Sequence, residues 1–511
     1  MKRKQVVIVL VCMMSLIYLL VPSCTMDFPP FFYSLESISP NTELVIFEDA
    51  AEWIPKFGKV SNDKNNFRSG TQSILQSSDH GGVVDARRTV KLNFEAAPRL
   101  RIRVYFHDTP TKIAVLLSSR EDFHSYFMAS VAYPEQALQK GWNIIDFYPE
   151  SWEVNAGEDW SNTMIGLRIR IEPKEGEVAP RVSWDKMVVN ADGIPGVMIN
   201  FDDGFASVYY KAFQHMKNIN ARGTVYVITD RIGNNPGYLT LDQLLVLNAK
   251  GWSIANHSSS HARPFTKLPM SEVENQLRDA KNVLDTWGLP RASTHVAYPW
   301  GNWNAAVIDV MVSTGMQTGR TVENLHQDVW TSNGQNYLIS TRYVNPDHTL
   351  DQVKSWVDQA SRQQRIIGLS FHDIVDSDKG NIQWLTEDFI ALIDYIHEKD
   401  IPFLTINDYY DIARTNALPI EDHYHIEAMD HLLVSAPGVT ENDHFLEKVD
   451  FEIVLENDIS PEAGKLILNN DGSFSYQPSA GWSGEAGFQY RICTQKWCTE
   501  PANVTISKDR P

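Results

Sequence analysis

Between about Ile194 and Ala417 short apolar runs alternate with longer amphipathic ones, and this rhythm constrains the fold more than any other feature of the chain. "VMINF" is followed by a helical run from Ala206 to Ile219 and then by "TVYVIT". "LTLDQLLVLNAKG" reads as a helix with a glycine stop and leads into "WSIAN". "SEVENQLRDAKNVLDTWG" has Ser271 as its expected N-cap, with Glu274 completing a capping box, and leads into "THVAYPWG". A helix from Ala305 to Ser313 leads into "MQTGRTV", "TLDQVKSWVDQASRQQR" into "IIGLSFHD", and "TEDFIALIDYIHEKD" into "IPFLTI". Strands alternating with helices predict a parallel sheet, closed into a distorted (β/α) barrel whose chemistry sits at the C-terminal ends of the strands.

Polar residues fall at those strand ends. Asp202-Asp203 follows "MINF", His257 to His261 follows "WSIAN", Tyr298-Pro299-Trp300-Gly301 follows "HVA", and His372-Asp373 follows "IIGLSF". Adjacent carboxylates at the mouth of a core strand repel each other, so something must offset them. Two imidazoles four residues apart, with one carboxylate, make a donor set for a divalent cation that keeps open positions. The second carboxylate, held beside the ion, can then take a proton from water, and a histidine from another strand end can protonate a leaving group. Taken singly, each element has a structural explanation. Asp-Asp-Gly is a common helix-capping turn, His-x-x-x-His occurs on surfaces, and His-Asp pairs brace loops. Their joint placement at the strand ends of one βα region is the informative observation.

The region from about residue 194 to 415 resembles the polysaccharide deacetylases, also called carbohydrate esterase family 4 or the NodB-homology group. The resemblance lies in Asn200-Phe201-Asp202-Asp203-Gly204, His257-Ser258-Ser259-Ser260-His261 and Leu369-Ser370-Phe371-His372. It implies that Asp202 is the general base, that Asp203, His257 and His261 bind a divalent metal, expected to be Zn2+, and that His372 is the general acid. It further implies that the backbone N–H of Trp300 helps stabilise the oxyanion and that Ser258 braces the histidine loop. Leu369 and Trp300 are candidates to line a pocket for the acetyl methyl, or are core residues. Two positions depart from the family pattern. Asn200 stands where Thr is usual, and Ala297 stands where an Arg often orients the base. Arg320, in "QTGRTV", is either the replacement for that charge or a surface residue. The expected activity is N-deacetylation of an N-acetylglucosamine-containing polymer. The alternatives are an O-acetyl esterase acting on xylan-like glycans, or an inactive surface glycan-binding or adhesive protein.

The flanks imply a multidomain, exported protein. With 511 residues, the chain is long enough for about three domains. Residues 1–24, with basic Lys2 to Lys4, an apolar run from Val6 to Val21 and then Cys24, resemble a bacterial lipoprotein signal. Cys24 is then the expected membrane anchor, on the periplasmic or cell-surface side, and an uncleaved signal-anchor helix is the alternative. Residues 25–42 read as a tether. Residues 43–192 alternate with period two, as in "RLRIRVYFHD", and predict a jelly-roll-like β-sandwich that is either a carbohydrate-binding module or a spacer. Residues 418–431 read as a linker, in which His423, His425 and His431 are solvated rather than metal ligands. Residues 432–511 resemble a bacterial cadherin-like or Ig-like repeat. There Asp471-Gly472 is expected to form a hairpin turn, and Phe474, Tyr476, Phe488 and Tyr490 to point inward. Cys493 and Cys498 are spaced for a small disulfide loop, as in exported proteins. The formal charge of −19 argues against a nucleic-acid partner and suits an acetylated polysaccharide substrate whose product is cationic.

Overall fold

The computed structural model describes residues 42–509, apart from 68–69, 95, 109–110, 133–137, 139, 190–192, 323–334, 378–379, 427–430, 447–450 and 495–496. The expected signal, Cys24 and most of the tether lie outside the described residues. Among the described residues no helix is long and apolar enough to cross a membrane.

Residues 42–189 form two antiparallel six-stranded sheets. In Leu100–Phe106, Ile102, Val104 and Phe106 are fully buried, and they face Val115, Leu117 and Ile169 of the opposite sheet in one apolar core. The alternation that predicts a sandwich arises because successive strand side chains point to opposite faces. The outward residues Arg99 and Arg101 are nevertheless buried. They grip Asp146, and Arg101 also donates to the Leu446 carbonyl (3.1 Å), while Arg99 donates to the Gln364 carbonyl (3.2 Å). This sandwich therefore docks on the rest of the molecule through ionic and backbone contacts, to which Arg365–Glu150 (2.8 Å) contributes.

The central region is a parallel sheet with Gly196–Phe201 in its middle. On one side follow Thr224–Val227, Ser253–Asn256, Ala292–Ala297 and Thr318–Arg320; on the other lie Ile366–Phe371 and then Arg342–Tyr343. The two edges meet at Ile339. Its N–H donates to the Gly319 carbonyl (2.9 Å), and its carbonyl accepts from Thr321 (2.8 Å). The expected barrel is thus closed by a short seam. Gly196–Phe201 and Ile366–Phe371 are buried along their whole length, as the apolar strands of a doubly covered parallel sheet should be. The helices fall where periodicity places them, including Ala305–Ser313, Leu350–Arg362 and Thr386–Glu398. The expected cap at Ser271 is a residue of the first turn instead. The helix starts at Met270, and the Pro269 carbonyl already accepts from Glu272 (2.9 Å) and Val273 (3.1 Å). A further helix, Ile406–Thr415, has Thr405 and Asp408 as a capping box.

The C-terminal region contains a four-stranded and a three-stranded sheet. The segment expected to be a linker belongs to it. Asp422–Ile426 is a strand, parallel to Ala502–Lys508, with His423 opposite Thr505. Asp422 and Ile426 point inward while His423 and His425 point outward, so the apolar signal of this strand is weak. His425 accepts from or donates to Ser507 Oγ (2.9 Å). Phe474, Tyr476, Phe488 and Tyr490 are buried together, and Asp471-Gly472 turns the hairpin between Gly464–Leu468 and Phe474–Pro478. Gly472 has φ of +83° and lies so close to Pro437 that an added Cβ would be 2.2 Å from its carbonyl oxygen. Cys493 and Cys498 are joined in a disulfide.

Candidate active site

Asp202, Asp203, His257, His261, Trp300 and His372 converge at one mouth of the barrel, whereas Tyr298 turns into a separate apolar cluster and Asp373 pairs with Gln383. Asp202 and Asp203 directly follow Phe201, and the Asp202 N–H is fixed by the Phe371 carbonyl (2.9 Å). Asp203 adopts φ of +69°, which turns consecutive carboxylates in different directions. One is committed to a cation of the protein and the other to the imidazoles.

Asp202 is almost fully buried and receives Arg320 Nη2 at 2.6 Å and 2.7 Å on its two oxygens. Arg320 is equally buried, so it is not a surface residue. Its other terminal nitrogen donates to Thr341 Oγ1 (3.0 Å) and Ser370 Oγ (2.9 Å), and its guanidinium lies 4.8 Å from the Tyr226 ring centre. Burial opposes ionisation of Asp202, but the charge and hydrogen bonds of Arg320 outweigh it and hold the carboxyl below its ordinary value. Arg320 sits opposite Ala297 in the parallel register of adjacent strands. The charge absent at Ala297 is therefore supplied from the same level of the neighbouring strand.

Asp203, His257 and His261 bring one potential ligand atom each to within 4.8 Å of one another. His257 Nδ1 lies 2.9 Å from the Ala297 carbonyl, which makes it the protonated nitrogen and leaves Nε2 facing Asp203 Oδ1 at 3.5 Å. Asp203 Oδ1 is buried and has no hydrogen-bond partner among the described residues. Burial, and then the neighbouring His257, push His261 down to about 3, and burial likewise lowers His257. Neutral imidazoles are the ligating form. Two nitrogen donors and an unsatisfied carboxylate oxygen fit a divalent cation of the zinc type.

Ser258 shapes the loop as expected. At φ of +67°, its N–H donates to Asn256 Oδ1 (2.8 Å) and its Oγ accepts from the His261 N–H (2.8 Å). Gln276 Oε1 gathers the Ser259 hydroxyl (2.9 Å) and the Ser260 N–H (3.0 Å). Trp300 is 49% exposed, and its ring lies over His261 with centres 4.1 Å apart. Trp300 (φ +57°) and Gly301 (φ +68°) are both left-handed, and a Cβ on Gly301 would be 2.1 Å from Val322 Cγ2. Leu369 is fully buried in the main apolar cluster, and Asn200 Nδ2 donates to its carbonyl (3.4 Å). His372 meets the Tyr343 ring edge-on at 5.0 Å, and its buried Nδ1 has no hydrogen-bond partner among the described residues. Thr341, Ser370, Tyr226 and Tyr343 complete the site but carry no motif. Arg231, 3.7 Å from Asp203 Oδ2 and bonded to the Tyr238 hydroxyl (2.7 Å), is a further rim residue.

Residues 190–319 match the polysaccharide deacetylase family, and residues 416–507 match the bacterial Ig domain family. A Bacillus subtilis (strain 168) protein whose name assigns it as a polysaccharide deacetylase is 28% identical over 127 residues, 25% of this chain and 44% of that protein. A poly-β-1,6-N-acetyl-D-glucosamine N-deacetylase of Staphylococcus epidermidis is 28% identical over 172 residues, 31% of this chain and 58% of that enzyme. The chain thus spans about half the length of these relatives. Among solved structures, a family 4 carbohydrate esterase from Streptomyces lividans in complex with acetate aligns with a TM-score of 0.29 and 18% identity, over 41% of this chain and 88% of that one. The chain carries a polysaccharide deacetylase domain, followed by a bacterial Ig domain.

Proposed function

We propose that the chain is a metal-dependent hydrolase that removes acetyl groups from the amino sugars of an N-acetylglucosamine-containing polymer. The observation that carries this reading is the division of labour between adjacent carboxylates. Asp202 is held ionised by the buried Arg320, while Asp203 turns an unpartnered oxygen toward His257 and His261. Asp203, His257 and His261 would hold a divalent cation, expected to be zinc, which would supply Lewis acidity to the reaction.

Asp202 accepts the proton that water loses as its oxygen bonds to the acetyl carbon. The backbone N–H of Trp300 is assigned to the carbonyl oxygen as that atom gains negative charge. His372 delivers a proton to the sugar nitrogen as the C–N bond breaks, so that acetate and an amine leave. Trp300, exposed above His261, presents an apolar face to the acyl group or the sugar ring. The substrate of the Staphylococcus epidermidis relative supports an N-acetylglucosamine polymer as the first candidate. Export with a lipid on Cys24 belongs to the same reading, and the Cys493–Cys498 disulfide suits an oxidising compartment.

The test is acetate release by the zinc-loaded chain from N-acetylglucosamine oligomers, poly-N-acetylglucosamine, peptidoglycan and acetylxylan. Release from an N-acetylated polymer, lost in Asp202→Asn, supports the proposal. Release confined to acetylxylan makes the chain an O-acetyl esterase. Metal binding without release from any of them contradicts the proposal and favours an inactive glycan-binding protein.

A further inference from the structure

A cleft of about 640 Å3 opens at the opposite end of the barrel, between it and the Ig domain. Its barrel wall comes from residues such as Asn220 and Arg222, just before the Thr224–Val227 strand, and from Asn248 at the end of the Leu241–Ala249 helix. Those are the N-terminal ends of the strands. The catalytic residues stand at the C-terminal ends, a six-residue strand away, roughly 20 Å at the usual rise. The cleft is therefore not part of the site described above.

Its other wall includes Gln489, Asn503 and Glu421, which with Asn457 form a row of three amides and one carboxylate. Asn457 Nδ2 donates to Gln489 Oε1, Gln489 Nε2 donates to Asn503 Oδ1 (2.8 Å), and Asn503 Nδ2 donates to Glu421 Oε1 (2.8 Å). Gln489 pairs with Asn457 on one side and with Asn503 on the other, so the row crosses neighbouring strands in register. A second hollow of about 340 Å3 continues the cleft along this row. Each amide nitrogen carries another N–H beyond the one used in the row, and each carbonyl oxygen a second lone pair. The lining carries four cations, Lys217, Arg222, Lys250 and Arg291, against three carboxylates, Asp408, Glu421 and Glu500, with Arg222 beside Asp408 (3.6 Å) and Arg291 beside Glu500 (3.3 Å), so its net charge is small. A polar cleft of small net charge, in which amides that both donate and accept stand beside separate donors and acceptors, matches hydroxyl and acetamido groups better than it matches an anion or an apolar ligand. Domain junctions are also common locations for ligand sites.

The geometry points to a second saccharide-binding site in this cleft, in which the row Asn457–Gln489–Asn503–Glu421 binds a neutral, hydroxyl-rich segment of the N-acetylated polymer. The choice of polymer rests on the proposed deacetylase activity, whereas the amide row does not. Holding one segment at the cleft raises the local concentration of others around the catalytic mouth, which acts on long chains and not on short ones.

The test uses the full chain in native gels containing glycol chitin, a soluble N-acetylglucosamine polymer. Retardation should weaken about tenfold in apparent affinity in Gln489→Ala/Asn503→Ala, in line with the loss of a pair of side-chain hydrogen bonds. Asn248→Arg, which fills the cleft from the opposite wall and leaves the row intact, should act likewise. Acetate release from a disaccharide should not change in either variant, while release from the long polymer should fall. Wild-type chain that is not retarded, or retardation equal in wild type and both variants, overturns the proposal. Retardation lost in both variants of a chain that releases no acetate keeps the cleft and refutes the catalytic reading instead.

Discussion

Arg320 Nη2 lies 2.6 Å and 2.7 Å from the two carboxylate oxygens of Asp202, and both residues are almost completely buried. A buried pair of this kind contributes little net stability when intact, but removing one partner leaves an uncompensated charge that costs about 3–5 kcal/mol. The pair therefore serves to fix the ionisation and direction of Asp202. Arg320→Met should lower acetate release by about 100-fold or more, the scale of a lost general base. Arg320→Lys should recover only part of this, because one ammonium cannot reach Asp202, Thr341 and Ser370 together. Circular dichroism alongside the assay separates lost folding from lost catalysis.

The same pair determines a pH response. Asp202 has its folded value held below the ordinary carboxylate value, so the stabilisation from its ionised form is present at neutral pH. That stabilisation is lost as pH falls through the folded value. The base is thus already deprotonated at mildly acidic pH in the wild type. In an Arg320→Met chain that retains measurable turnover, the acid limb of the kcat/KM profile should move to higher pH.

Ser258 supports the metal ligands without ligating. Ser258→Ala removes the acceptor of the His261 N–H and should weaken zinc binding about 10–100-fold, as is usual when a partner that orients a ligand is lost. Competition against a chromogenic chelator measures this directly. Asp203→Asn and His261→Ala should bind less than one zinc per chain under conditions that saturate the wild type.

Trp300 separates binding from folding. Its ring is half exposed, so Trp300→Ala should leave the melting temperature within a degree or two while raising KM more than it lowers kcat. A large fall in melting temperature would show instead that the ring is structural.

A different pH response belongs to the C-terminal domain. Burial, offset in part by hydrogen bonds from the Ile420 N–H and the Tyr490 hydroxyl, raises the Asp443 carboxyl to about 8. The unfolded chain releases this proton near pH 4 and the folded chain near pH 8, so stability falls across that interval as pH rises. Calorimetry at pH 5 and pH 8 should show the decline, and Asp443→Asn should lessen it, leaving the share that belongs to Asp422 and Asp411, which burial raises to about 7.

What could be read from the sequence follows from how local each signal is. The barrel was legible because most of its strands are continuous apolar runs and most of its helices carry their own periodicity, although the short strand Arg342–Tyr343 has neither signal. The helix Ile406–Thr415 was missed although Thr405 and Asp408 mark its start, because Asp408, Asp411 and Asn407 occupy buried positions in it. The strand Asp422–Ile426 was read as a linker because its inward side includes a carboxylate, Asp422, rather than an apolar residue. Within the site, the adjacent carboxylates and the His257–His261 pair are contiguous motifs. Arg320 stood out as one of two readings, a replacement for the charge missing at Ala297 or a surface residue, and the choice between them rests on a contact that spans 118 residues and on a strand register that no local pattern encodes. The roles of Thr341 and Ser370 carry no signal in the sequence, since hydroxyls in strands ordinarily indicate nothing.

The most direct measurement is an anomalous-difference map from crystals of the full chain soaked in zinc. The account predicts one strong peak at the barrel mouth, about 2.0–2.2 Å from the nearest donor atoms of Asp203, His257 and His261. A map without a peak among these three side chains, or with the only ordered ion bound elsewhere, would contradict it.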